Sequence, residues 1–441
     1  MLSFPSGNQP SVLTSGHTFS QVPKADIQRS QFNRSHGYKT AFNSGYLVPV
    51  FVDEALPGDS FNLKMQTFAR LSTPIVPFMD NLYMFSAFFA VPYRLVWANF
   101  KKFCGEQATT AASTAFTLPV FTAYSPAAES LSDYMGIPIA GATTPLGAGG
   151  TLTHHCLFHR AYNLIWNEWF RDQNLQDSVK VGSTAALDDG PDAIADYVLL
   201  KRGKRHDYFT SCLPWTQKNN TGTAVSVGLS GTAPLVRPTN ATPSWKAFHG
   251  GAQTQPGAAA INTDGAGGVV SGGTGLTFEP GASLYTDLSA ASGITINALR
   301  LAFQTQKMYE RDARGGTRYR EIIQSHFGVL DPNDARLQRP EYLGGNTSPI
   351  MLTPVPQTSS TAGALAQGRL SAVGISQSRA GFVKSFSEHC LLIGLVCVFA
   401  DLNYQTGLNR MWSRSTRLDM YWPALANIGE QAVLNKEIYC Q

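Results

Sequence analysis

CLLIGLVCVFA, from Cys390 to Ala400, is the longest apolar run in a chain of 441 residues. It is too short to cross a bilayer and is flanked by Glu388, His389 and Asp401. An unbroken apolar run of this length reads as a β-strand buried on both faces. Composition points the same way. Hydrophobic residues make up 43% and aromatic residues 11%, enough for a sizeable core, while charged residues reach only 15%. With 40 glycines and 25 prolines, that balance favours short strands and many turns over long solvated helices.

Upstream, GYLVPVFVDEALPGDSFNLKMQTFARLSTP, starting at Gly45, gives two extended runs around a turn at Pro57-Gly58-Asp59. In the second run Phe61, Leu63, Met65 and Thr67 alternate with Asn62, Lys64 and Gln66, the period of a half-buried strand. NLYMFSAFFAVPYRLVW is strand-like up to Pro92, and RLVWANFKKFCGEQ then turns helical. HHCLFHRAYNLIWNEWFRDQN, His154 to Asn174, is the clearest helix, with an apolar stripe at Leu157, Ala161, Leu164, Ile165 and Trp169. INALRLAFQTQKMYERDA and TRYREIIQSHFGV are two more helix candidates, broken at Gly315-Gly316. Residues 1–45 are polar and proline-broken and read as an N-terminal arm. Residues 216–290 are glycine-rich and of low complexity, the text of a surface loop that need not fill a core.

The chemistry of a common enzyme is missing from the text. There is no GxxxxGK[ST], no GxGxxG after a strand, no GxSxG and no HExxH. In HHCLFH, His155 and His159 would share one helix face beside Cys156, the best metal candidate by spacing. No carboxylate or further cysteine stands at ligand spacing, so the packing reading is preferred and neither metal nor cofactor is assigned. Asp188, Asp189 and Asp192 lie in a Gly/Pro loop and read as solvated or as helix caps, not as an acid/base pair. No catalytic residue is assigned. The six cysteines (Cys104, Cys156, Cys212, Cys390, Cys397, Cys440) contain no CxxC pair, which suits reduced thiols, and no signal peptide is visible at MLSFPSGNQP.

Two clusters carry cations beside aromatic rings. KRGKRH places Lys201, Arg202, Lys204 and Arg205 ahead of Tyr208 and Phe209. RMWSRSTRLDMYW interleaves Arg410, Arg414 and Arg417 with Trp412, Tyr421 and Trp422. Cations neutralise phosphates and aromatic faces accept unstacked bases, so both are candidate nucleic-acid contacts. The plainer reading is a solvated basic face with aromatics packed in the core or at a subunit interface. The net charge of +4 permits a local polyanion contact without making the whole chain basic.

Six blocks, in order along the chain, resemble the major capsid proteins of the Microviridae, small phages with circular single-stranded DNA, and among them the gokushoviruses. They are FSQVPKADIQRSQFNRSHGYKTAFNSGYLVPVFVDEALPGDSFNLKMQTFARLSTPI, YNLIWNEWFRDQNLQDSV, LLKRGKRHDYFTSCLPW, RGGTRYREIIQSHFGV, DARLQRPEYLGG and GLNRMWSRSTRLDMYWPALANIGEQAVLNKEIY. The resemblance implies an all-β, eight-stranded antiparallel jelly roll with long loop and helical insertions, sixty copies of which build a T=1 icosahedral shell. The arm (1–45) would lead into a first part of the jelly roll (46–215), a variable insertion (216–290) and the remainder (291–441). The insertion would form protrusions at the threefold axes that meet a host-cell surface receptor. Lys201, Arg202, Lys204 and Arg205, then Arg410, Trp412 and Arg414, would face packaged single-stranded DNA. Internal scaffolding and DNA pilot proteins and a small basic DNA-binding peptide are the implied partners. The virion is the implied location, with synthesis in the host bacterial cytoplasm. The rival readings are a soluble single-stranded DNA-binding protein and a cupin-like or carbohydrate-active jelly roll.

Overall fold

The computed structural model describes residues 28, 30–74, 78–106, 116–141, 143–182, 188–215, 296–329, 338–356, 358, 370–404, 406–426 and 431–440, and the backbone of short strands between 235 and 286. It divides into two units, Met1–Ala41 and Phe42–Gln441. In the first unit the described residues are exposed and hold no helix or strand; the rest of the expected arm up to Ala41 lies outside the described residues.

Among the described residues the second unit is built on seven long strands. β1 (Val48–Ala55), β2 (Ser60–Arg70) and β3 (Leu82–Pro92) come first. β4 (Glu341–Pro349), β5 (Met351–Pro356), β6 (Leu370–Ser385) and β7 (Cys390–Ala400) come last. They make two antiparallel sheets, a four-stranded one ordered β1-β7-β3-β4 and a three-stranded one ordered β5-β6-β2. The ends of the unit therefore pair with each other, with helices and loops inserted between.

β7 is buried on both faces along most of its length, as its apolar run predicts. Alternation decides which neighbour each residue meets. Cys390 and Leu392 join Phe88 and Ala90 of β3 against Phe382 and Phe386, with Phe61, Leu63 and Met65 of β2 packed alongside. The rings of Phe88 and Phe382 lie 5.6 Å apart. Leu391, Ile393, Leu395 and Cys397 point the other way, with Phe89 and Val91, onto a layer of inserted helix and loop. Each side chain of this size contributes about 1.5–3 kcal/mol when fully buried. Gly394 leaves room for rings on the inner face. A Cβ there would meet Phe88 Cε1 at 2.8 Å and Phe51 Cβ at 2.9 Å.

The inserted layer centres on helix α1, Leu157–Ile165, extended by a wider turn at Trp166–Phe170. The helix expected from His154 starts later, because residues Leu152–His155 pair as a strand with Val120–Tyr124. His155 and His159 therefore do not share a helix face. The expected helix after Pro92 is two short helices, Tyr93–Val96 and Phe100–Phe103. Helices α2 (Ile296–Gly315) and α3 (Tyr319–Phe327) meet at Gly316, whose φ of +99° suits glycine.

Buried beneath this layer, Arg160 is fully enclosed and donates to Asp192 through Nε (2.8 Å) and Nη2 (2.7 Å), and to Asp188 through Nη1 at 3.1 Å. The Tyr197 hydroxyl also donates to Asp192, at 2.5 Å. Asp189 accepts from Trp97 Nε1 at 2.9 Å and from Asn99 Nδ2 at 3.1 Å. This corrects the solvated reading of the acidic loop. Burial alone would raise the Asp192 pKa, but the hydrogen bonds from Arg160 and Tyr197 hold it below the ordinary carboxylate value.

The insertion 216–290 falls largely outside the described residues. Within it the backbone forms two- to four-residue strands paired antiparallel, Lys246–His249 with Ala252–Thr254 among them.

Candidate nucleic-acid interface

The first basic cluster is laid along the start of β1. Leu47 N donates to Leu200 O at 2.9 Å and Arg202 N to Gly45 O at 2.8 Å, while Tyr46 and Lys201 form a bridge. Trp166 Nε1 donates to Lys201 O at 2.8 Å, fixing the segment over α1. Lys201 Nζ then stands 5.3 Å from the Tyr46 ring.

From there the cations meet rings carried by two central strands. Arg202 Cζ lies 4.3 Å from the Phe85 ring centroid and 4.5 Å from that of Phe399. Burial, and after it the nearby Arg205 charge, pulls its pKa below the ordinary arginine value, though Cys397 opposes the shift. Its Nη1 is buried with no hydrogen-bond partner among the described residues. Arg205 stacks on Phe399 at 4.5 Å and Tyr83 at 5.4 Å, and reaches Asp401 at 3.6 Å. Cations held over aromatic faces gain roughly 0.5–2 kcal/mol each and stay oriented. Lys204 pairs with Asp207, donates to the Tyr404 hydroxyl at 2.9 Å and sits 4.8 Å from that ring. The Asp207 carboxyl is held far below its ordinary range, first by the Lys204 hydrogen bond and also by those from Thr210. In the bare sequence these charges read as free. The fold gives two of them a carboxylate neighbour, and it gives all four an aromatic partner that no local spacing shows.

The second cluster comes to the same region through the chain's end. Residues 406–408 bond back to 436–440, with Leu408 N on Lys436 O at 2.7 Å and Cys440 N on Thr406 O at 2.9 Å. The buried Glu437 accepts from the Tyr208 hydroxyl at 3.0 Å and stands 3.7 Å from Arg410 Nη1. Arg410 also donates to Ala432 O at 2.9 Å. Phe209 and Tyr404 are in ring contact at 4.6 Å. Tyr208–Glu437–Arg410 and Lys204–Tyr404 thus tie the two clusters, about 200 residues apart in sequence, into one neighbourhood. Arg410 is a tether in it. Beyond Arg410 the side chains turn outward: Trp412 is 71% exposed, and Arg414 forms no hydrogen bond or ion pair among the described residues. Arg417 stacks on Trp422 at 4.8 Å.

The metal candidate resolves into packing. His154 Nε2 meets the Tyr124 hydroxyl at 2.8 Å, His159 Nε2 meets Ser132 Oγ at 3.0 Å, and Cys156 Sγ donates to Asp192 at 3.2 Å. Burial, followed by the neighbouring histidines, takes the His159 pKa down to about 3. Among the described residues no three His, Cys, Asp or Glu side chains gather as a metal site. No helix among them is long and apolar enough to cross a membrane.

The chain is thus a two-sheet antiparallel β-protein with helical insertions and a band of cations set on aromatic rings. Comparison with known proteins places it. The sequence profile described as Capsid protein (F protein) matches residues 20–441. Capsid protein VP1 of Bdellovibrio phage phiMH2K is 44% identical over 437 residues, covering 96% of this chain and 79% of the relative. Capsid protein VP1 of Chlamydia phage 1 is 40% identical, covering 98% and 81%, and that of Spiroplasma virus 4 is 37% identical, covering 96% and 79%. The chain belongs to the F-type capsid protein family of Microviridae phages. Members of this family are structural proteins of the virion, not enzymes, and assemble into multi-copy shells.

Proposed function

We propose that this chain is the major capsid protein of a small phage with a circular single-stranded DNA genome, and that sixty copies close into a T=1 icosahedral shell. Family membership over nearly the whole chain carries the reading. The strand order β1-β7-β3-β4 supports an eight-stranded jelly roll, since first and last strands lie together beside the third, as Greek-key winding requires. Exposed apolar side chains support assembly. Ile296 (70%), Leu301 (67%) and Phe303 (63%) stand out on α2, as side chains destined for a subunit contact do. The chain has no catalytic role in this reading and is made in the host cytoplasm. It works with internal scaffolding and DNA pilot proteins and a small basic peptide.

The basic clusters serve the genome. Lys201, Arg202, Lys204 and Arg205, with Arg410, Trp412 and Arg414, line the face toward packaged DNA, cations on phosphates and exposed rings on bases. Replacing Lys204 and Arg205 together by alanine lowers the salt dependence of oligothymidylate binding by roughly 1.4 in log–log slope, about 0.7 for each phosphate no longer neutralised. An unchanged slope, measured by fluorescence titration, removes these two residues from the interface. The insertion 216–290 forms the threefold protrusion that meets the host receptor. Particles lacking residues 220–288 should still form and should no longer adsorb to cells; loss of folding instead would place that stretch in the core.

The second reading, a soluble single-stranded DNA-binding protein, draws on the same outward Trp412 and Arg414. Assembly separates the two.

A further inference from the structure

Among the cation–aromatic pairs outside both basic clusters, that of Arg339 and Trp169 is the closer. Arg339 Cζ sits 4.1 Å from the centroid of Trp169. The indole is held in place: its Nε1 donates to Pro340 O at 3.0 Å, and Phe89 and Tyr342 contact its ring at 5.6 Å and 6.0 Å. The guanidinium is thus fixed in orientation, yet it makes no hydrogen bond and no ion pair among the described residues. Its five N–H donors point to no protein acceptor there.

Charge around it is mixed. Arg318 and Arg320 are its cationic neighbours, and Glu168 and Glu321 the acidic ones. Both carboxylates are engaged by Arg318, Glu321 at 2.9 Å and Glu168 at 3.8 Å. Burial first, and then the Arg320 charge, pulls the Arg339 pKa below the ordinary arginine value. An anion placed against Arg339 would relieve that crowding and satisfy a planar fork suited to bidentate oxygen ligands.

We propose that Arg339, held face-on over Trp169, is a phosphate-binding subsite for the backbone of single-stranded nucleic acid. The inference rests on the nucleic-acid reading above and extends it to a residue neither cluster contains. One observation selects a nucleic acid over an acidic peptide. Tyr342, 44% exposed and in contact with the Trp169 ring, offers an aromatic face beside the guanidinium, and bases stack where side-chain carboxylates do not. Arg339 and Arg202 also rest on one aromatic core, because Phe170 contacts Phe89 at 6.0 Å and Phe85 at 6.2 Å, and Phe85 carries Arg202.

The test is titration of full-length, unassembled chain with labelled oligothymidylate across a salt series, with oligoglutamate as a second ligand. Arg339→Gln should weaken oligothymidylate binding and lower the log–log salt slope by about 0.7, one phosphate contact on a single strand. Arg339→Lys, which keeps the charge without the planar fork, should hold the slope and bind more weakly. Circular dichroism on each variant guards against misfolding, and if the glutamine variant does not fold, the lysine variant carries the test. Slope and affinity unchanged in Arg339→Gln overturn the subsite. So does an effect confined to oligoglutamate, or a wild-type chain that does not bind oligothymidylate. If the Lys204/Arg205 double variant binds like wild type while Arg339→Gln does not, the subsite stands and the first cluster's role falls.

Discussion

Arg160→Ala should cost about 3–5 kcal/mol of folding stability, because it strands a buried carboxylate rather than merely deleting a pair. Asp192, 8% exposed, loses both Arg160 hydrogen bonds and keeps Tyr197 and Cys156 as side-chain donors among the described residues. The damage reaches further than one pair. Arg160 Nη1 also donates to Val96 O at 3.1 Å and to Asp188, so it links α1 to the short helix after β3 and to the acidic loop. A paired change, Arg160→Met with Asp192→Leu, should recover much of the stability, since no charge is then left without a partner. Denaturant unfolding of the three chains checks this; a cost below about 1 kcal/mol for the alanine variant would show the network to be incidental. The pH sign follows from the depressed Asp192 pKa. Its contribution is present above the unfolded carboxylate value near 3.8 and is lost as pH falls through the lower folded value.

A second large loss should come earlier in an acid titration, from the histidines. His159 is 1% exposed, and its pKa falls from 6.5 to about 3. Its Nδ1 is buried with no hydrogen-bond partner among the described residues, so an added proton has no acceptor to meet. The unfolded chain binds that proton at higher pH than the folded chain. The stabilisation is therefore complete above pH 6.5 and drains away as pH drops toward 3, by up to about 5 kcal/mol at 1.36 kcal/mol per unit. His154 and His155 are shifted downward too, each mainly by burial. His159→Gln, which retains a polar partner for Ser132, should flatten the loss of stability between pH 6.5 and 4. A variant with the wild-type pH profile would mean that the acid loss arises elsewhere.

The strands that can be read from sequence are those whose apolar residues point inward. β2 alternates Phe61, Leu63 and Met65 with polar residues, and β7 is apolar throughout. β6 escapes such reading at its first half because its pattern is inverted. Ala372, Gly374, Ser376 and Ser378 are the enclosed positions, while Val373 (37%) and Ile375 (43%) are outside. Small residues are needed there because the packing is close. A Cβ on Gly374 would meet Leu71 Cβ at 2.9 Å, and one on Gly344 in β4 would meet Gly381 O at 2.6 Å. Prolines and glycines likewise hide β4 and β5.

The acidic loop misleads for a related reason. Carboxylates on either side of Gly190 and Pro191 look solvated, and the sign of their burial is the lone Arg160 inside the apolar helix text LFHRAYNLI. The cationic clusters are plain as charge. Their geometry is not, since Tyr83, Phe85 and Phe399 come from strands more than 100 residues away on either side. Arg339 stands in no local cluster at all, and only the fold brings it to Trp169.

Sedimentation velocity on chain purified from expressing cells, with imaging of the fastest fraction, tests the central claim most directly. The capsid reading predicts small uniform shells of sixty copies with knobs on the threefold axes. A chain that binds single-stranded DNA yet stays monomeric, even with its scaffolding proteins supplied, would contradict it and favour the soluble binding protein.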